Sequence, residues 1–352
     1  MEKYKSFQPD YRNIEKAARN IKPDRLPLYE HLISEEIMEV ILDTEFAELK
    51  EGNETEKKEY FRNYVKFFKK MGYDTVSFER CIGGIMPGSG SLQTNEPGII
   101  TERSDFEIYP WDTIKDLYFE EFTEDFSLLR EEMPSGMKAI GGPGNGVFEL
   151  VQELVGFDQL CYISADDPRL YADLFQKVGE IMLEIWEEFM KKFSDIYAVC
   201  RFGDDLGFKT STLISPSDIR KHIIPEYSRV VHLIHSYDKP FLLHSCGNIF
   251  SIMEDLIVKV NIDAKHSNED EIAPFSTWVD KYGDKIGNFG GVDTDILCRK
   301  SEKAIQKITR EVISYSRKTG GFALGSGNSI PDFVPVSGYL AMVETARKER
   351  NE

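Results

Sequence analysis

Two side chains with metal and acid–base chemistry stand close together in Lys239-Pro-Phe-Leu-Leu-His244-Ser-Cys246-Gly-Asn248. A short apolar run, Phe241 to Leu243, stops at a histidine and a cysteine spaced i, i+2. In extended chain such residues point the same way, so imidazole and thiol can converge where a strand opens into a loop. Imidazole nitrogen and thiolate sulfur together suit zinc. The plainer alternative is a buried histidine beside an inert cysteine at a turn, and no CxxC or HExxH completes a ligand set locally.

Further candidates lie along the chain. Asp204-Asp205-Leu-Gly207 offers paired carboxylates, one of which can face a site as acid or base while the other serves the loop. His266, beside Asn268-Glu-Asp270, is a candidate acid, base or ligand, or a hydrogen-bonded loop histidine. The run Gly141-Gly142-Pro-Gly-Asn145-Gly146 precedes Phe148 and Glu149. It can offer N–H groups to an anion, admit a flat ligand closely, or simply make a tight turn. Glu30-His31, Asp293 and Ser326-Gly-Asn328 complete the set of candidate binding residues, with Asp293 equally placed to cap a helix.

These residues need a frame that brings them together. Strand-like runs fall at Leu26–Tyr29, Thr75–Phe78, Met137–Ile140, Ile196–Phe202, Pro240–His244, Ile262–His266, Lys285–Phe289 and Phe322–Leu324. Helical periodicity separates them, at Glu35–Leu49, Tyr60–Met71, Pro168–Phe193, Ser217–Tyr237 and Glu302–Lys318. This βα alternation predicts an α/β fold, a (β/α)8 TIM barrel formed by residues 1–352 as one domain. The candidates named above then sit at the carboxyl ends of several strands, where barrels build their sites. A doubly wound open sheet would instead gather them at one switch point. Gly83–Thr113, rich in Gly, Pro and Ser after the second strand, reads as an excursion over the mouth with strand-like pieces at Gly98–Ile100 and Phe106–Tyr109, a hairpin lid.

Composition narrows the partners. The 352 residues carry a formal charge of −18, which repels phosphate backbones and anionic membranes. No apolar run reaches the roughly 20 residues of a membrane span, and Met1–Lys22 lacks a signal-peptide pattern. Five scattered cysteines fit a reducing, cytoplasmic setting better than a disulfide framework.

The residues quoted above, with Lys22-Pro-Asp-Arg25-Leu-Pro27, Leu213-Ile-Ser-Pro216, Gly141-Gly-Pro-Gly144 and Gly287 to Asp293, resemble the uroporphyrinogen decarboxylase superfamily over nearly the whole chain. The resemblance implies a barrel. It also implies one of two activities. The decarboxylases carry an arginine-rich segment after the first strand that binds substrate carboxylates; here Tyr29-Glu30-His31-Leu-Ile-Ser34 has no arginine. The other branch comprises corrinoid-dependent methyltransferases, which move a methyl group between cobalamin on a partner corrinoid protein and a small methyl donor or acceptor. Methoxylated aromatics, methylamines, tetrahydrofolate and thiols are candidate partners of that kind. Their zinc site is His-x-Cys plus a later Cys; His244 and Cys246 match the first two, and Ser326 stands at the third position. The resemblance therefore favours a corrinoid-linked methyltransferase, in which either Asp204, Asp205 or His266 completes a zinc site or the His244–Cys246 pair serves without zinc. A decarboxylase or a non-catalytic corrinoid- or tetrapyrrole-binding protein is the alternative.

Overall fold

A computed structural model describes residues 7–94 and 96–350. Apolar runs too short for helices become parallel strands: β1 (Thr75–Cys81), β2 (Lys138–Gly144), β3 (Tyr197–Gly203), β4 (Phe241–His244), β5 (Ala264–His266), β6 (Gly287–Val292) and β7 (Phe322–Ser326). They pair in chain order in one seven-stranded sheet. β3 and β4 are buried along their whole length, as expected of parallel strands covered on both faces. The connecting segments are mainly helical, so this is an α/β fold with a curled parallel sheet.

The first expected strand, Leu26–Tyr29, is reduced to a bridge between Leu28 and Leu324 of β7. Tyr29 N–H donates to the Leu324 carbonyl at 2.8 Å, and Leu324 N–H to the Pro27 carbonyl at 3.0 Å. Pro27 has no N–H to extend the ladder. On the other side the Glu30 carbonyl accepts from the Ser77 hydroxyl of β1 rather than from main chain. The segment therefore lies between β7 and β1 without being a full strand.

The hairpin expected within Gly83–Thr113 is absent among the described residues. Helical turns stand there instead, at Gly83–Ile85, Ser91–Thr94, Arg103–Ile108 and Trp111–Thr113. Gly98 and Ile100 donate to Val155 and Leu154, the free carbonyls at the end of the helix Val147–Val155, at 2.9 and 3.0 Å. A helix end with unsatisfied carbonyls supplied partners that a second strand would otherwise have provided. Phe106–Ile108 belongs to the helix Arg103–Ile108 because Asp105 accepts from Thr101 and Glu102 N–H groups, capping the turn, and Tyr109 is its extended end.

Pro168–Phe193 is a helix as expected. Ser217–Tyr237 is split: a π turn, Ile219–Ile223, precedes the helix Ile224–Ser236. Pro225 cannot donate to the carbonyl four residues back and crowds it, which widens the preceding turn. The short helix Arg12–Ala18 presents Ile14, Ala17 and Ala18, all fully buried, to Ile140, Ala198, Leu242, Ala264, Phe289 and Ala323 inside the curled sheet. No described helix is long and apolar enough to cross a membrane.

Candidate active site

His244 closes β4 and His266 closes the neighbouring β5, in register with each other. Their Nδ1 atoms are 2.8 Å apart, and His266 Nε2 lies 3.0 Å from the main-chain carbonyl of Ser326 at the end of β7. His31, just past the irregular first segment, stacks on His244 with ring centroids 3.7 Å apart and planes at 11°. All three rings are buried. Burial, reinforced by neighbouring cationic groups, holds His31 and His244 well below the ordinary histidine range and takes His266 to about 3, so the cluster is neutral.

Cys246 Sγ stands 3.5 Å from His244 Nε2, so the i, i+2 pair converges. Its thiol also receives the Ser267 hydroxyl at 3.4 Å and the Asn328 amide at 3.3 Å. Asp205 faces the same point: it accepts from Cys246 N–H at 2.8 Å, with a carboxylate oxygen 3.9 Å from His244 Nε2. Burial, with Asp205 beside it, pushes the Cys246 thiol up, so the free protein holds it protonated.

Asp204 turns the other way. Its carboxylate accepts from Phe148 N–H at 2.9 Å and Glu149 N–H at 2.8 Å, the open start of the helix Val147–Val155, and from the Tyr227 hydroxyl. Gly146 is needed there because a Cβ would meet the Asp204 side chain at 2.3 Å. Glu149 reaches Asp205 N–H at 3.1 Å and takes the Asn145 amide at 3.0 Å. Burial raises both acids, and neighbouring carboxylates add to it, Asp204 and Asp205 at Glu149 and Asp205 at Asp204. Three donors favour ionised Asp204, so the proton belongs on Glu149.

Glu30 is buried and receives Ser326 N–H on both oxygens, at 3.0 and 3.1 Å, and makes a short contact with the Ser326 hydroxyl. That hydroxyl also lies 2.6 Å from the Asn328 carbonyl. Burial pushes Glu30 up to about 8. Ser326 thus spends its side chain on Glu30 and Asn328.

Two of the expected residues lie apart from this cluster. Gly142 has φ +136° and faces the helix Pro168–Phe193, where a Cβ would strike Trp186 at 2.6 Å; its role is in packing. Asp293 caps the short helix Thr294–Arg299 by accepting from Asp295 N–H at 2.7 Å, and also takes Asp270 N–H at 2.6 Å.

Sequence reasoning passed over two buried cations. Arg201, inside β3, donates to Glu79 at 2.7 Å, the Tyr29 hydroxyl at 2.9 Å and the His31 carbonyl at 3.0 Å, fixing the floor beneath His31. Lys265, inside β5, lies 3.8 Å from the Trp278 ring centre and donates to the Ser267 carbonyl. Burial lowers its amine to about 7. A lone cation within an apolar strand was the available signal for both.

Among the described residues, two groups of potential metal donors have their ligand atoms within 4.8 Å of one another: Asp205, His244, Cys246, and His31, His244, His266. The first fits zinc. Bond lengths near 2.3 Å to sulfur and 2.0–2.1 Å to nitrogen put tetrahedral ligands about 3.5 Å apart, which is the Cys246–His244 spacing. The second fits poorly, because the 2.8 Å Nδ1–Nδ1 approach is a hydrogen bond.

A parallel α/β fold with acids, imidazoles and a thiol gathered at the carboxyl ends of its strands has the form of a barrel enzyme. The chain belongs to the uroporphyrinogen decarboxylase (URO-D) family, whose model matches residues 12–349. In structure it is similar to a methyltransferase from Methanosarcina mazei, at 14% identity and TM-score 0.71, over 97% of this chain and 99% of that one. It is less similar to xylanase B from Clostridium stercorarium F9, at 9% identity and TM-score 0.42, over 78% of this chain and 91% of that one. No curated protein matches the chain in sequence.

Proposed function

We propose that this protein is a methyltransferase that moves a methyl group between a corrinoid carried by a partner protein and a small molecule held at the strand ends. The observation that carries the reading is the convergence of Cys246 Sγ, His244 Nε2 and the Asp205 carboxylate on one point. Family membership and the fold shared with a methyltransferase support it.

Cys246, His244 and Asp205 would hold zinc, and the metal would supply Lewis acidity to a heteroatom of the small molecule. The residues of the chain do the rest. Asn328 and Ser267 donate to the thiol sulfur and so favour its thiolate form. Asp205, with its side chain 45% exposed, is the acid closest to the open side. It takes the proton from an acceptor such as a thiol, or lends one to a leaving oxygen or nitrogen. The methyl moves without its bonding pair: the pair stays on the heteroatom when the small molecule is the donor, and on cobalt when it is the acceptor. Substrates of modest charge suit the site. A porphyrinogen with several carboxylates would meet Asp205, while the buried Arg201 is already occupied by Glu79 and Tyr29.

The test is metal content of the purified protein, followed by incubation with cobalamin and a donor panel and with methylcobalamin and an acceptor panel, read by the cobalt absorbance. Stoichiometric zinc and transfer with one class of small molecule are expected. No metal and no transfer with any member would sink the reading, and loss of carboxylates from uroporphyrinogen would replace it with decarboxylation.

A further inference from the structure

The Ser326 carbonyl can only accept, so His266 Nε2, 3.0 Å away, carries a hydrogen. His266 is fully buried and its ring nitrogens meet the Ser326 carbonyl and His244 Nδ1, with no carboxylate among these partners to balance a charge, so the ring keeps one hydrogen and its Nδ1 is a lone pair. His244 Nδ1, 2.8 Å from that lone pair, must therefore be the donor. A neutral imidazole carries one hydrogen, so His244 Nε2 is left bare, and that is the nitrogen 3.5 Å from Cys246 Sγ.

We propose that His266 is a positioning residue: hung from the Ser326 carbonyl, it locks His244 in the Nδ1–H tautomer and aims an unprotonated Nε2 at the Cys246–Asp205 face. This deepens the zinc-site reading above, since a metal ligand must offer a lone pair and outer partners of ligating histidines set which nitrogen does so. It also gives position 326 a role through its main chain. The carbonyl, and not the side chain, is what the relay uses, and the hydroxyl is engaged with Glu30 and Asn328.

The experiment has two arms. In the first, the full chain with ¹⁵N-labelled histidine is examined by long-range ¹⁵N–¹H correlation without added metal. His244 is expected to show a protonated Nδ1 and bare Nε2, and His266 the reverse. His244 found with Nε2–H would overturn the relay. In the second, Co²⁺ is titrated into metal-free wild type, H266N and H266L, following the thiolate-to-cobalt band. Asn keeps an acceptor at the Nδ1 position, so H266N should stay within about threefold of wild type, whereas H266L should bind roughly 10–100-fold more weakly. Equal losses in both variants would overturn the proposal. Thermal melts identify a variant that fails to fold, in which case the first arm decides. Wild type with the stated tautomers but no Co²⁺ binding would uphold the relay and sink the metal.

Discussion

Asp205 and Asp204 are neighbours in sequence with opposite surroundings. Asp205 is half-exposed beside the thiol, and Asp204 is fully buried under three donors. On the methyltransferase reading, D205N keeps the acceptor for Cys246 N–H but loses both the carboxylate that would hold zinc and the proton site, so zinc content is measured beside the rate. Its kcat should fall on the order of 10²–10⁴-fold, with the melting temperature nearly unchanged; a kcat within threefold of wild type would count against an acid–base role. Glu30 makes a different kind of prediction. The Ser326 hydroxyl has one hydrogen, and the Asn328 carbonyl can only accept, so the short Glu30–Ser326 contact is made by a protonated Glu30 carboxyl. Its folded pKa, about 8, lies above the unfolded value of 4.5. The unfolded chain releases this proton first, so the stability Glu30 contributes is full below pH 4.5 and is lost as pH rises through 8. Urea unfolding at pH 5 and pH 8 should show that loss in wild type and a flatter profile in E30Q; parallel profiles would refute it. The i, i+2 spacing made His244 and Cys246 legible. The partners that orient them come from distant strands, and nothing in the local sequence announces Ser326 O as a partner of His266.

At the scale of elements, apolar runs marked seven strands well, because a strand covered on both faces must be apolar throughout. The first strand was overread: Pro27 breaks the ladder, and a side-chain bond from Ser77 replaces it. The hairpin was misread because glycine and proline mark turns without saying what the turns pack on. Here the orphan carbonyls of Leu154 and Val155 took the donors. The same helix depends at its other end on Asp204. D204A strands two N–H groups and the Tyr227 hydroxyl, so a loss of at least about 2 kcal/mol is expected in denaturant unfolding. D204N, which keeps an acceptor, should lose less. Equal loss in the two would mean that charge at the helix start, and not hydrogen bonding, dominates.

At the scale of the molecule, the charge of −18 gives no affinity for polyanions, and the two cations nearest the histidines are buried. The helix Arg12–Ala18 has its own consequence. It fills the sheet interior at the amino ends of the strands, with the Ala17 carbonyl so close that a Cβ at Gly287 would lie 2.3 Å from it and one at Gly321 2.1 Å. Among the described residues, traffic is then one-way-in, same-way-out. On the proposed reaction, a bulky corrinoid and a small molecule must share a single doorway, and whichever docks last bars the other's exit. Binding should accordingly be ordered, small molecule before corrinoid, and excess corrinoid protein should slow the escape of a pre-bound small molecule in stopped-flow displacement. An escape rate indifferent to corrinoid protein would mean that a second passage exists.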